Sequence, residues 1–319
     1  MVYVFLILGF FMLIKGADVF VDGSSSVAKL FKIPTIIIGL TVVAFGTSMP
    51  EASVSITASL KGQNSLAVSN VLGSNIFNLL IVLGCSALLR PLKANAQVLK
   101  KEFPFSIVIT ALLLILCSGL KIGAVLSGEG EFTLGRAGGI ILLILFVYFV
   151  TAQVRGALKA RHEDQEEEAA GMSLFRSLFY IVVGIAAIIV GGDLVVESAT
   201  DIAVRFGLSE TFIGLTIVAM GTSLPELVTS MVASRKGEND LAVGNVVGSN
   251  IFNILLILGA SSAISPITFD INVIYDMGIL IVVSILAYLC TKSRGILSKK
   301  EGVLFLMVYL VYFGYIYVR

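Results

Sequence analysis

The sequence predicts an all-α membrane protein: ten transmembrane helices in two inverted-topology five-helix repeats. Three observations carry this reading. Of 319 residues 57% are hydrophobic and only 13% charged, with a mean hydropathy of +1.00, where a soluble domain is about 25% charged. The apolar residues gather in continuous runs, such as Ile140–Val150 and Tyr180–Val190, which excludes the alternating strands of a membrane barrel. Finally, the chain repeats itself at a fixed offset with an odd number of spans between the copies. A net charge of +1 leaves no basic surplus for nucleic acid.

A span needs about 20 apolar residues, and ten such windows lie at 3–28, 34–60, 65–89, 104–121, 134–154, 173–204, 210–234, 240–264, 272–291 and 302–318. The first has no positive leading segment and no small-residue cleavage site, so it reads as a retained helix. The second carries Pro50 in mid-run and the seventh carries Pro225; a proline inside a helix breaks it. The third bears a polar stripe, Asn70, Ser74 and Asn78, and the eighth its counterpart, Asn245, Ser249 and Asn253. The fourth, fifth, sixth, ninth and tenth are apolar almost throughout. The one hydrophilic stretch, 155–172, is an acidic linker between a first repeat at 1–154 and a second at 173–319. Its run Glu163–Glu168 lacks the glycine and Asp/Asn spacing of a calcium loop and reads as solvated, with the single histidine, His162, beside it.

Basic residues orient the spans. With the N-terminus outside, the inner loops hold 16 Lys and Arg and the outer segments 5, with Lys15 inside a span. Both termini then face out, and the acidic linker is cytoplasmic in a multi-pass cell-membrane protein.

The segments 39–78 and 214–253 are identical at 27 of 40 positions, at an offset of 175. The same offset pairs Asp18 with Asp193, Asp22 with Glu197, Gly84 with Gly259 and Pro91 with Pro266. Five spans per copy places the second copy upside down. Inverted repeats of this kind build secondary transporters with a binding site near the bilayer midplane.

Each repeat carries GTS-x-PE: Gly46, Thr47, Ser48, Met49, Pro50, Glu51 and Gly221, Thr222, Ser223, Leu224, Pro225, Glu226. The prolines free the carbonyls of Gly46 and Gly221, and the neighbouring carbonyls of Ala44 and Ala219 are candidates to tilt away too. Free carbonyls survive at membrane depth only against protein, water or an ion. A charged carboxylate there costs at least about 2.5 kcal/mol, and Lys15 has no mate, since position 190 is valine. The partner missing from Glu51 and Glu226 is a transported cation. Thr47, Glu51 and Ser55 share one helix face, as do Thr222, Glu226 and Ser230. Carboxylate, hydroxyl and amide oxygens are hard ligands, suited to Ca²⁺, Na⁺ or K⁺ and not to Zn²⁺ or Cu⁺. Two carboxylates balance one Ca²⁺, two Na⁺ or two protons. Returning empty would carry bare charges through low dielectric, which favours antiport.

Structural readings stand beside these. Thr and Ser hydroxyls bond back to helix carbonyls, Ser74, Asn78, Ser249 and Asn253 can be interhelical glue, and Gly73 and Gly248 read as close-packing positions. Asp18, Asp22, Asp193 and Glu197 either line an ion path or end a solvated helix. Asp270 and Asp276 read as solvated in an outer loop.

The paired repeats, GTSxPE followed by GNxxGSNIFN-like sequence, resemble the Ca²⁺/cation antiporter superfamily, and within it prokaryotic sodium/calcium exchangers. The resemblance implies alternating access, with Na⁺ influx driving Ca²⁺ extrusion. It makes Glu51 and Glu226 central Ca²⁺ ligands and Thr47, Ser48, Thr222 and Ser223 supporting ligands. It assigns Ser74 and Ser249 to Na⁺, the carbonyls of Ala44 and Ala219 to Na⁺, and Asn78 and Asn253 to the centre. The family often has Asp in one repeat at the 78/253 position; here both are Asn, which bears on ion number. Ser69 replaces the glycine found at Gly244, a difference expected to act on packing. Alternatives are a Ca²⁺/H⁺ or K⁺-dependent exchanger and a passive cation channel. An enzyme is not expected: Cys85, Cys117 and Cys290 stand singly, one histidine supports no triad or zinc site, and no nucleophile and base pair up. No cofactor and no obligate protein partner is expected beyond the lipid bilayer.

Overall fold

The computed structural model describes residues 1–62, 64–118, 132–163, 172–207 and 219–318. Eight apolar runs become single long helices: α1 (Val2–Leu30), α4 (Leu66–Leu89), α5 (Val98–Ser118), α6 (Arg136–Ala160), α7 (Leu174–Arg205), α10 (Asn239–Ile264), α11 (Ile271–Arg294) and α12 (Lys299–Val318); all but α5 lack an internal proline, and α5 takes Pro104 just after a π-helical turn at Val98–Glu102. Each is long and apolar enough to cross a membrane. A ninth candidate is a broken pair, α2 (Thr35–Thr47) and α3 (Met49–Leu60), bent by 51°. The described residues thus hold eight or nine candidate spans against the ten expected; part of the expected seventh, 210–218, lies outside them, as do 164–171 of the acidic linker.

The bends sit where proline predicts. The chain leaves α2 at Ser48 (φ −83°, ψ 7°) and restarts with Pro50 in the first turn of α3, where a missing N–H costs nothing. The second copy repeats this: α8 (Ala219–Gly221) ends, Ser223 takes φ −91° and ψ 6°, and α9 (Leu224–Lys236) starts with Pro225 in its first turn.

Helices α1 and α7 pack along their lengths through small residues that let backbones touch. A Cβ on Gly9 would stand 2.9 Å from the Gly191 carbonyl oxygen, one on Gly16 3.0 Å from that of Gly184, and one on Gly23 2.8 Å from that of Ser177. The numbering runs in opposite directions, so the helices are antiparallel. The offset of 175 exchanges the first two contacts: 9 with 191 becomes 184 with 16.

Helices α4 and α10 run through the centre, while α12, α6, α7 and α1 lie at the periphery. Two short antiparallel ribbons depart from an all-helical expectation. β1 (Leu92–Lys93) pairs with β4 (Ile296–Leu297), and β2 (Phe132–Leu134) with β3 (Ile267–Phe269). Each joins a loop of the first half to a loop of the second, satisfying backbone groups where the helices end.

Other readings are corrected. Asp276 is 7% exposed inside α11, because that helix begins at Ile271; Asp270 caps it by accepting from the Asn272 amide at 3.1 Å. Gly248 does pack closely, 2.8 Å from the Leu40 carbonyl oxygen at its would-be Cβ, whereas a would-be Cβ on Gly73 meets nothing within 4 Å beyond its own helix backbone among the described residues. The packing role foreseen for Gly244 is present: its would-be Cβ lies 3.0 Å from the Ile36 carbonyl oxygen, while Ser69 is exposed.

Candidate cation site

The short helices after each proline aim their first turns inward, which brings Glu51 and Glu226 into the interior. Both are 0% exposed. Among the described residues no third Asp, Glu, His or Cys joins them in a metal-sized cluster.

Each glutamate is held from the opposite repeat. Ser48 Oγ donates to Glu226 Oε1 at 2.9 Å, and Ser223 Oγ to Glu51 Oε1 at 2.9 Å. A serine of the same repeat adds to each: Ser74 Oγ lies 3.5 Å from Glu51 Oε1, and Ser249 Oγ 3.3 Å from Glu226 Oε1. One turn further along, Asn70 Nδ2 donates to Ser55 Oγ at 3.0 Å and Asn245 Nδ2 to Ser230 Oγ at 2.9 Å. The contacts agree under the 175 offset to within 0.2 Å.

The central asparagines are oriented by a crossover that sequence reading missed. Asn75 Nδ2 donates to the Asn250 backbone carbonyl at 3.2 Å, and Asn250 Nδ2 to that of Asn75 at 3.2 Å. A carbonyl can only accept, so these bonds fix both amides. The Oδ1 atoms of Asn250 and Asn75 are left facing Asn78 and Asn253, whose Nδ2 groups donate at 3.1 and 3.0 Å. Asn78 Oδ1 and Asn253 Oδ1 are thereby turned away from the crossover. The clue was present in the sequence, because Asn75 and Asn250 are mates at the same offset. Asn78 and Asn253 also open π-helical turns, Asn78–Val82 and Asn253–Leu258, a distortion frequent at functional sites.

Four oxygens of this centre are buried with no hydrogen-bond partner: Glu51 Oε2, Glu226 Oε2, Asn78 Oδ1 and Asn253 Oδ1. They form two mate pairs and are all acceptors. A buried orphan acceptor costs about 1–3 kcal/mol, more when charged.

The remaining predicted residues fall in or beside this network. The Thr47 hydroxyl is surrounded by the Val43 oxygen at 3.1 Å, the Ala44 oxygen at 3.4 Å and Asn245 Oδ1 at 2.9 Å. It has the back-bonded geometry that a helical threonine commonly adopts. The Ala44 carbonyl also lies 3.5 Å from Ser249 Oγ. Thr222 is half-buried and lines a cavity of about 410 Å³ that extends past Pro225 to Asp193 and Glu197. Ala219 begins α8.

The profile of the sodium/calcium exchanger protein family matches residues 1–155 and 176–318. The chain belongs to the sodium/calcium exchanger family. Exchanger MaX1 of Methanosarcina acetivorans is 30% identical over 340 residues, 97% of each chain. Inner membrane protein YrbG of Escherichia coli is 38% identical over 322 residues, 98% of this chain and 95% of that one. A solved structure of the sodium-calcium exchanger NCX_Mj, soaked with Na⁺ and Ca²⁺, superposes with a TM-score of 0.82 at 29% identity, covering 98% of this chain and 97% of that chain. As a member of this exchanger family the chain is a multi-pass membrane cation antiporter, not an enzyme.

Proposed function

We propose that the protein exchanges Na⁺ for Ca²⁺ by alternating access at a site built on Glu51 and Glu226. The observation that carries this is the set of four buried acceptor oxygens without partners, two carboxylate and two carboxamide. A hard cation is the group that four such oxygens accept, and Ca²⁺ takes 6–8 oxygens in a flexible shell. Ser48, Ser223, Ser74 and Ser249 position the glutamates and supply hydroxyl oxygens; Thr47, Thr222 and the Ala44 and Ala219 carbonyls complete the set of ligands. With no third acid in the cluster among the described residues, the centre carries two negative charges. One Ca²⁺ or two Na⁺ neutralise it, so the exchange is two for one and moves no net charge.

The inverted arrangement of ten spans, five on each side of the acidic linker, is supported by the α1–α7 contact. A two-fold operation that swaps antiparallel neighbours has its axis perpendicular to them, hence in the plane of the membrane they cross. The Lys and Arg bias places both termini outside and the linker in the cytoplasm.

Purified protein in proteoliposomes loaded with Na⁺ is expected to accumulate Ca²⁺, and K⁺-loaded vesicles or vesicles with only a pH gradient are not. Equal Ca²⁺ entry with no Na⁺ inside would refute sodium coupling and favour the channel reading. Entry driven by K⁺ or protons alone would move the protein to the other exchanger types.

A further inference from the structure

The ion site obeys the 175 offset, but the surfaces above and below it do not. On one side, α1 packs against α9, and Lys236 at the end of α9 reaches across to α1. Its Nζ lies 2.8 Å from Asp22 Oδ1, 2.7 Å from the Asp18 backbone oxygen and 3.5 Å from Asp18 Oδ1. On the other side stand the mates of these elements, α7 and α3, which barely touch. Between them opens the cavity of about 410 Å³, lined by Ser53 and Pro50 of α3 and by Asp193 and Glu197 of α7.

The offset maps Lys236 onto Lys61, Asp18 onto Asp193 and Asp22 onto Glu197. The open side therefore holds mates of these three charges, while the closed side alone adds Lys15, whose Nζ lies 3.7 Å from Asp18 Oδ2 and whose counterpart is Val190. On the open side the mates are apart: Lys61, Asp193 and Glu197 are exposed, and among the described residues no ion pair links them. Both lysines precede a glycine with positive φ, Gly62 at 73° and Gly237 at 85°, so both leave their helices along the same path.

We propose that Lys236 and Lys61 are positioning residues of the transport cycle, the two arms of an ion-pair latch of which one is closed at a time. Lys236 on Asp18 and Asp22 holds the α1–α9 side shut while the α7–α3 side is open to the ion site. When the repeats exchange conformations, Lys236 releases, α7 closes on α3, and Lys61 takes up Asp193 and Glu197. The latch rests on the alternating-access reading above. On the topology proposed there, the shut side is cytoplasmic and the open side external. Each arm gives its state a bias that does not depend on the cargo. Because the two lysine arms have the same chemistry, their biases oppose each other.

The test uses full-length protein in nanodiscs, with Cys85, Cys117 and Cys290 replaced by alanine and one reporter cysteine added. Ser53→Cys lies in the open cavity, and Val228→Cys is its mate on the shut side. Labelling by a polar maleimide reads which side is open. Lys236→Gln is expected to slow labelling at 53 and speed it at 228; Lys61→Gln is expected to do the reverse. Each shift should be about two- to fivefold, the scale of a solvent-accessible ion pair. Lys236→Arg, which keeps the pairing, should label like the parent. Opposite shifts with arginine rescue establish the latch, and any other pattern overturns it. Na⁺-driven Ca²⁺ uptake by the parent protein is measured in parallel: its absence with opposite labelling shifts would refute the sodium reading alone.

Discussion

Glutamine at position 51 keeps the contacts that hold this side chain and removes the atom offered to the ion. Glu51 Oε1 accepts from Ser223 Oγ at 2.9 Å and lies 3.5 Å from Ser74 Oγ, and an amide oxygen serves both equally well. Glu51 Oε2, the oxygen without a partner, becomes an NH₂ group that cannot ligate a cation. The substitution also removes one charge. A unit charge pair about 4 Å apart at an effective dielectric of about 20 is worth about 4 kcal/mol, so a divalent ion loses about 8 and a monovalent one about 4. If desolvation cancels two thirds of this, about 2.7 kcal/mol remains for Ca²⁺ and about 1.3 for Na⁺. The expected outcome is a loss of about 100-fold in Ca²⁺ affinity against about 10-fold in Na⁺ affinity, with Na⁺-driven Ca²⁺ uptake abolished. Calorimetric titration of each ion and vesicle uptake measure the two parts, while an unchanged thermal midpoint shows that the serine contacts survive. Glu226→Gln should match it, because Ser48 and Ser249 hold Glu226 in the same way. Ca²⁺ affinity within a few-fold of the parent, or equal losses for both ions, would refute the charge-centred site.

Further expectations follow from the same geometry. A potential of 100 mV across the vesicle should change the final Ca²⁺ gradient less than twofold; one net charge per cycle would supply about 2.3 kcal/mol, roughly fiftyfold. Asn75→Ala leaves the Asn253 side-chain amide without its acceptor and removes the side-chain bond to the Asn250 carbonyl, and should lower stability by about 1–3 kcal/mol in denaturant unfolding. Gly191→Val places a Cβ 2.8 Å from the Gly9 carbonyl oxygen and should abolish monodisperse protein in size-exclusion chromatography. Gly314→Ala, with nothing within 4 Å among the described residues, should elute unchanged.

The breaks at Ser48 and Ser223 were legible because proline acts locally: it suits the first turn of a helix and disrupts the turn before it. Glu51 and Glu226 were legible for an energetic reason, since an acid within an apolar run demands compensation. What stayed hidden depends on pairs distant in sequence. Ser48 and Ser223 read as supporting ligands, but that each holds the other repeat's glutamate is revealed only by the crossing of α2–α3 with α8–α9. Asn75 and Asn250 sit beside better-marked residues and gain their role from bonding to each other's backbone. Gly73 and Gly248 share a motif, but only Gly248 has a backbone pressed against it among the described residues. The ribbons β1–β4 and β2–β3 involve two or three residues per strand, too few for an alternating pattern.

The asymmetry of the molecule is unevenly distributed, and this bears on how an exchanger must be built. A ligand shifts a conformational equilibrium only by its differential affinity for the two states. At the glutamates, the serine contacts to each carboxylate have mates of nearly the same length on the other repeat, 2.9 and 2.9 Å for the crossing serines and 3.5 and 3.3 Å for the serines within a repeat. If the repeats exchange conformations, the ion meets the same oxygens in both states and favours neither. A cation held much more tightly in one state would stall there. What differs between the two sides lies away from the glutamates, in the α1–α9 contact with its Lys236 pair and the parted α7–α3 with its cavity. Binding and gating are thus assigned to different residues, and substitutions at Lys61 or Lys236 should move the balance of states while leaving the intrinsic selectivity of the Glu51–Glu226 centre in place.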